Sequence, residues 1–285
     1  MDLLRFVSEM RVALYACGQV ALALQGNVPA DTKPPDSPHQ QSTAVSVVDH
    51  LCQEILLLRA YDLAPDIEIY SEEMAVLPDT LRELFAGNRH RYVIVIDPVD
   101  GTDDYLSGGV YYGHVLGLLD QETGRMVCGM VYFPRVGSLY AAVEGMGAFV
   151  SRGLMGRFEP LRPARPPRTV SETKRLEDPH RQVLEQAGFA IVPEESHSAA
   201  WELLRVARGE VGVAVMPHFH GHDTAMIAAI IGELGGAALD ASGEPVRYDR
   251  DMPRLPLVVQ SLSPDYARAA CEALIKVEEK DSDER

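Results

Sequence analysis

The sequence predicts a mixed α and β fold in two parts, an α+β part over residues 1–152 and an α/β part over residues 153–285. Three observations carry this. Residues 112–119, 126–133 and 138–143 are apolar or alternating runs joined by Glu122-Thr123-Gly124-Arg125 and Pro134-Arg135-Val136-Gly137, the pattern of antiparallel strands and tight turns. From residue 168 onward, strand and helix patterns alternate, which implies a mostly parallel or mixed sheet flanked by helices. Between the two lie residues 151–168, where Pro160, Pro163, Pro166 and Pro167 sit among arginines. That break in composition places the division, and its basic residues read as a solvated connector.

In chain order, Leu3, Leu4, Val7, Met10, Leu14, Cys17 and Val20-Ala21 recur at three- and four-residue intervals. Residues 3–25 therefore form a helix with one apolar face, stopped by Gly26-Asn27. Residues 27–43 carry prolines and polar residues without periodicity and read as a long loop, either a lid or a disordered stretch. Helical spacing resumes over 44–61 through Val47, Val48, Leu51, Ile55 and Leu58, with Asp49 among these apolar neighbours. Ile67-Glu68-Ile69-Tyr70 alternates as a strand and delivers Glu72 and Glu73 at its end. Adjacent acids on a strand point to opposite faces, so one of the two faces a site. Tyr92-Val93-Ile94-Val95-Ile96 is wholly apolar, a strand buried on both faces. Gly145-Met146-Gly147-Ala148-Phe149 closes the first part. The second part reads as strand 168–171, helix 179–187, strand 189–193, helix 198–208, strand 211–216, helix 223–234, strand 256–260 and helix 264–278. Gly235-Gly236 ends one of these helices, and the charged residues 278–285 fray.

Composition narrows the function. A chain of 285 residues, 46% hydrophobic and 24% charged, buries a large core. Its formal charge of −16 excludes a nucleic-acid surface, which needs clustered Lys and Arg. A small phosphorylated substrate stays possible, because a divalent metal on carboxylates inverts the local sign. Cys17, Cys52, Cys128 and Cys271 are widely spaced in apolar surroundings and read as buried thiols of a reducing compartment. No stretch reads as the roughly 20 apolar residues of a membrane span, and the N-terminus shows no signal-peptide pattern, so a cytoplasmic location with no membrane partner is expected.

The chemistry concentrates at Asp97-Pro98-Val99-Asp100-Gly101-Thr102-Asp103-Asp104-Tyr105. Asp97 emerges at the C-terminal end of the buried strand, the edge where ligands sit in helix-covered sheets. Pro98 and Gly101 predict a tight bend that points Asp97 and Asp100 into one small volume with the Val99 carbonyl between them. Crowded hard oxygens suit Mg²⁺. Thr102 reads as the N-cap of a helix opening at Asp103, with the amides around Gly101 and Thr102 placed to receive a phosphate. The same residues also read as a capped turn whose extra aspartates complement a helix dipole. Downstream, Asp223 begins a predicted helix, where spacing alone makes it an N-cap. His218, His220 and His222 alternate, and on an extended segment would share one face, able to hold zinc or to touch a substrate beside Asp223.

Asp97-Pro98-Val99-Asp100-Gly101-Thr102 resembles the D-P-[IVL]-D-G-T signature of the inositol monophosphatase family, which includes bisphosphate nucleotidases. Ser71-Glu72-Glu73 upstream resembles its G-E-E, and His222-Asp223-Thr224-Ala225 with Glu233-Leu234-Gly235-Gly236 downstream resembles its W-D-x-A and E-A-G-G. The resemblance runs to about residue 260. It implies a layered αβαβα sandwich and a lithium-sensitive phosphomonoesterase using two or three Mg²⁺ ions. By the same resemblance Asp97 bridges two ions, Glu72 and the Val99 carbonyl complete one, and Asp100 and Asp223 hold the other. These ions would acidify a water, polarise the phosphoryl group and neutralise the leaving oxygen. Thr102, oriented by Asp49 of a T-x-x-D-like helix, and Glu72 position the water, while Gly101 and Thr102 hold phosphate oxygens. Glu73 is left to support the site or face solvent. Lys33 lies near where the family often places a loop lysine, and also reads as a solvated residue. The substrate wall departs from the family: His222 replaces tryptophan, His197-Ser198-Ala199-Ala200 stands for G-S-A-A, and Met216 stands where a hydroxyl-binding glutamate is common. His197, Ser198, Met216, His220 and His222 are therefore the expected substrate contacts. A 3′-phosphatase acting on adenosine bisphosphates and a non-catalytic phosphate- or metal-binding relative are the alternatives. The resemblance also implies a homodimer.

Overall fold

The computed structural model describes residues 1–29, 31–32, 44–173 and 176–283. Lys33 and most of the loop expected over 27–43 lie outside the described residues. The chain opens with α1 (Leu3–Leu24), whose N-terminal amides at Leu4 and Arg5 donate to the Asp2 carboxylate. A two-stranded ribbon follows, β1 (Asp31–Thr32) antiparallel to β2 (Ala44–Val45), and then α2 (Val47–Leu63), capped by Ser46. The strand β3 (Glu68–Ser71) ends before Glu72. A 3₁₀ turn at Met74–Val76 and α3 (Asp79–Phe85) occupy a stretch to which the sequence pattern assigns no element.

The apolar run at 92–96 is the first half of β4 (Tyr92–Asp100), which continues through the expected bend. The chain then forms α4 (Thr102–Leu106), β5 (Gly113–Asp120), β6 (Arg125–Phe133), β7 (Ser138–Val143), β8 (Gly147–Arg152) and β9 (Phe158–Pro160). Strands β3 to β9 make one seven-stranded sheet in sequence order, with β3 parallel to β4 and every other pair antiparallel. Its last strand reaches Pro160, so the first sheet extends past the proposed division at 152.

The second part contributes β10 (Thr169–Glu172), α5 (Asp178–Gln186), β11 (Ala190–Pro193), α6 (Ala199–Ala207), β12 (Val213–His220), α7 (Gly221–Glu233), β13 (Ala237–Asp240), β14 (Arg254–Ser261) and α8 (Pro264–Asp283). Its sheet runs β11-β10-β12-β14-β13, parallel across the first three strands and antiparallel across the rest. The short β13 was not legible, and β12 runs four residues beyond the predicted end at Met216, to His220.

Alternation along the buried strands builds the layers. Ile94 and Ile96 of β4 face α1 and α2, in one core with Met10, Leu14, Cys52 and Leu56. Their neighbours Val93 and Val95 face the other way, onto Trp201 and Leu204 of α6 and Met226 and Ile230 of α7. Ala214 and Met216 of β12 close that middle core from the second sheet, whereas Val213 and Val215 turn outward onto α5 and α8. The result is a five-layer αβαβα sandwich. Both strands therefore read as continuous apolar runs because each face is covered by helices. The helix α1 is apolar and long enough to cross a membrane, contrary to the reading that no stretch was. Its face at Phe6, Met10, Leu14, Cys17 and Ala21 is instead buried against the sheet. All four cysteines are buried and unbridged, as expected.

Candidate active site

A cavity opens between the two sheets at the end of β4, lined by Glu72, Asp97, Val99, Asp100, Gly101, Thr102, Asp103 and, from the second part, Thr173, Glu194, Ser196, His197, Ser198, Ala199, Glu202, Met216, Phe219 and Asp223. Each acid reaches it by a local device. β4 loses register against β5 between Asp97 and Asp100, and this bulge, not a free turn, spaces the two aspartates. Gly101 then turns the chain with a left-handed φ of 82°. A β-carbon there would approach the Ser198 β-carbon to 2.9 Å. Gly101→Ala is expected to cost about 1–2 kcal/mol from backbone strain alone and to lower Tm by several degrees. An unchanged thermal midpoint would remove this constraint.

The helix that follows starts at Thr102, with Gly101 as its N-cap, correcting the assignment of that role to Thr102. At five residues it is too short to offer much dipole to a phosphate. The Thr102 hydroxyl is turned inward instead. It lies 3.1 Å from Asp49 Oδ1 and 3.0 Å from the Val99 carbonyl, two acceptors for a single proton. Asp49 is buried in α2, where its other oxygen accepts from the Ser46 amide and hydroxyl, each at 2.7 Å. Burial lifts its pKa to about 6, with nearby Glu72 adding to the rise and the Ser46 and Thr102 bonds opposing it.

Glu72 follows the end of β3 in a turn anchored by its own amide to the Ile96 carbonyl, at 3.1 Å. The turn is also held by Gln53, whose amide donates to the Glu73 carbonyl at 3.1 Å and accepts from the Ser71 hydroxyl at 2.5 Å. The resemblance puts Gln53 four residues after Asp49, at the [EQ] position of a T-x-x-D-x-x-x-[EQ] helix and on the same helix face, but gives it no role. Glu73 is buried, not solvent-facing, and does not line the cavity.

Asp100 bridges the two parts. It is buried and accepts hydrogen bonds from the Ser198 hydroxyl and from the amides of Ala199 and Ala200, both at 3.1 Å, at the start of α6. Ser198 also caps α6 by accepting from the Trp201 amide at 3.0 Å. Its hydroxyl is thus committed to the protein, which corrects its assignment as a substrate contact. Burial raises the Asp100 pKa to about 7; Asp223 and Glu72 push the same way, against the bonds from Ser198 and Ala200. Asp104 makes a parallel link, accepting from the Ser196 hydroxyl at 2.5 Å.

Asp223 is the third residue of α7 rather than its N-cap, and its carboxylate accepts from the His220 amide at 2.9 Å. His220 and His222, expected on the substrate wall, are buried behind Asp223 and absent from the cavity lining. Their rings stack at 5.3 Å. His222 Nδ1 lies 2.9 Å from the Tyr70 hydroxyl and its Nε2 lies 3.4 Å from Asp223; His220 Nε2 accepts from Arg254 at 3.1 Å. The three histidines share no face, because His218 takes a left-handed φ of 56° and is exposed, while His222 already belongs to α7. Met216 is buried in the wall as expected, and His197 sits on the exposed rim, 3.4 Å from Glu194.

Glu72, Asp97, Val99, Asp100 and Asp223 thus line one cavity, together with the ordered motifs that frame it. A sequence profile of the inositol monophosphatase family matches residues 7–278. The chain belongs to that family. With it comes the reaction class, a phosphomonoesterase. Similar proteins include a histidinol-phosphatase of Chlorobaculum parvum, 27% identical over 72% of this chain and 75% of its own length. A 3′(2′),5′-bisphosphate nucleotidase of Shigella flexneri is 27% identical over 76% and 85%. The solved structure of an IMPase/NADP phosphatase complexed with Mg²⁺ and phosphate superimposes with a TM-score of 0.73, at 17% identity, over 95% of this chain and 96% of that one.

The donor set of this family member fits a hard divalent cation in kind: four carboxylates and one carbonyl, all oxygen. Among the described residues no three acidic, histidine or cysteine side chains converge tightly enough to enclose an ion as they stand. The carboxylates are instead held apart by protein donors, Asp100 by Ser198 and α6, and Asp223 by the His220 amide. Burial, and after it repulsion from the neighbouring carboxylates of Asp223 and Glu72, pushes the Asp100 pKa up.

Proposed function

We propose that this phosphatase hydrolyses a small phosphomonoester with Mg²⁺ held by Glu72, Asp97, the Val99 carbonyl, Asp100 and Asp223. The observation that carries the reading is the meeting of those five oxygen-bearing groups on one wall between the two sheets. When bound, the ions would supply Lewis-acid activation of water and stabilisation of charge on the phosphoryl and leaving oxygens. The protein's own part is positioning. Thr102, giving its one proton to Asp49, keeps lone pairs with which to accept from an attacking water. Glu72, held by the Gln53 turn, is the carboxylate placed to take the water's other proton. Gly101 and Thr102 are assigned to the phosphate end of the substrate. No protein nucleophile is needed.

The outer wall argues for a particular substrate. Met216 offers nothing to ring hydroxyls, and a hydroxyl buried unpaired against it would cost about 1–3 kcal/mol. With His220 and His222 removed from the wall, the support for a second phosphate goes too. Glu202 pairs with Arg205 at 2.7 Å and Glu194 with His197 at 3.4 Å; together with Asp103 they leave the described lining rich in acids, and no Lys or Arg is among the described residues that line the cavity. A phosphomonoester carrying a cationic group suits this wall better than a bisphosphate, and a similar protein bears the name histidinol-phosphatase.

A phosphate-release assay in Mg²⁺ with histidinol phosphate, inositol 1-phosphate and adenosine 3′,5′-bisphosphate tests both levels. Turnover that disappears with chelator and returns with Mg²⁺ is expected, with the cationic ester preferred at least about tenfold in kcat/KM, a difference near 1.4 kcal/mol. Best turnover of the bisphosphate would overturn the substrate reading, and turnover indifferent to chelation would overturn the metal reading. Inhibition by lithium and a homodimer are proposed from family resemblance alone, and a cytoplasmic location from the four buried, unbridged thiols.

A further inference from the structure

The register between β4 and β5 leaves one peptide to be satisfied by a side chain. Asp97 pairs with Val115 and Asp100 with Gly113, so Pro98 and Val99 together face the single residue His114. Pro98 has no amide hydrogen to give. Its carbonyl accepts from His114 Nδ1 at 2.6 Å. A carbonyl only accepts, so Nδ1 carries the proton. The imidazole is 0% exposed, set between the rings of Tyr112 and Tyr132, with the Cys52 thiol as a further polar neighbour.

Burying an imidazole in a strand of Val115, Leu116, Leu118 and Leu119 costs desolvation. The bond to Pro98 and the Cys52 thiol beside the ring offset that cost, and the Pro98 bond falls between Asp97 and Val99. His114 does not line the cavity.

We propose that His114 is a positioning residue for the metal-binding bulge: by holding the Pro98 carbonyl, its Nδ1–H fixes the geometry that turns the Asp97 carboxylate and the Val99 carbonyl into the same cavity. It acts through the backbone, touching neither metal nor substrate. The inference rests on the metal assignment made above. Groups that orient metal ligands from behind commonly govern affinity by about 10–100-fold when removed.

Mg²⁺ titration calorimetry and the Mg²⁺-induced shift in Tm, measured on wild type, His114→Phe, His114→Gln and His114→Asn, test this. Asparagine places an amide N–H near the position of Nδ1, whereas glutamine carries it too far along and phenylalanine has none. His114→Phe and His114→Gln are expected to weaken Mg²⁺ binding about tenfold or more, and His114→Asn to stay within about threefold of wild type. If His114→Phe does not fold, the contrast between Gln and Asn decides. Lowered Tm with unchanged Mg²⁺ affinity in the Phe and Gln variants would reduce His114 to a core residue and overturn the proposal. A wild type that binds no Mg²⁺ would overturn the metal assignment along with it, so the two failures are distinguishable.

Discussion

Asp97→Asn is expected to lower kcat at least a thousandfold, a barrier increase of about 4 kcal/mol, while leaving the fold intact. Asp97 is only 2% exposed, on the cavity wall where β4 enters its bulge. Its backbone still pairs with Val115 in the variant, because asparagine changes no backbone donor or acceptor. What disappears is the negative charge that the proposed function shares between ions. The metal-free variant should melt no lower than metal-free wild type, since one of several crowded carboxylates has been neutralised. Mg²⁺ should then stabilise wild type and not the variant, by the usual linkage of binding to unfolding. Retention of more than about a tenth of wild-type kcat, a loss below about 1.4 kcal/mol, would show that Asp97 holds no shared metal.

Thr102→Val is the second large effect, and its signature differs. Valine keeps the shape and removes the hydroxyl that links Asp49 to the Val99 carbonyl. We expect kcat to fall about a hundredfold or more with KM and Mg²⁺ affinity nearly unchanged, the pattern of an interaction made mainly in the transition state. A loss seen only as weaker Mg²⁺ binding would make Thr102 a support for the Val99 carbonyl and nothing more. Stability gives an independent reading. The Thr102 bond lowers the Asp49 pKa, which burial has already raised to about 6, so its removal raises that pKa further. A carboxyl whose folded pKa exceeds its unfolded value near 4 favours the folded state while protonated, and that contribution is lost as pH rises through the folded pKa. The deficit of Thr102→Val relative to wild type should therefore be small at pH 5 and larger at pH 8, read by thermal denaturation without metal.

The substrate-facing residues show where sequence reading failed and why. Alternation puts His218, His220 and His222 on one face only on the condition that the backbone stays extended. A left-handed φ at His218 and the start of α7 at Gly221 both break it. Neither is signalled strongly by the residue type at His218, since left-handed conformations outside glycine are uncommon. Ser198 was read as a substrate contact from its motif, and the structure gives its hydroxyl to Asp100, 98 residues earlier in the chain. Gln53 and His114 carry no role in the sequence reading because each looks like a polar residue stranded in an apolar element.

The sequence by itself determined the layers and the catalytic edge. Continuous apolar runs at 92–96 and 211–216 specify strands covered on both faces. The family motifs that carry Glu72, Asp97, Asp100 and Asp223 select which acids line the cavity. These are local or motif-level properties, written in periodicity and in residues such as Pro98 and Gly101 whose backbone preferences act within a turn. Only the tertiary structure decided how each acid is held: Asp49 by Ser46 and Thr102, Asp100 by Ser198 and the start of α6, Asp223 by the His220 amide, the Pro98 carbonyl by His114. A buried polar group must find a partner, but the partner is fixed by which elements the apolar cores bring together across tens of residues, and no spacing within one segment records that choice.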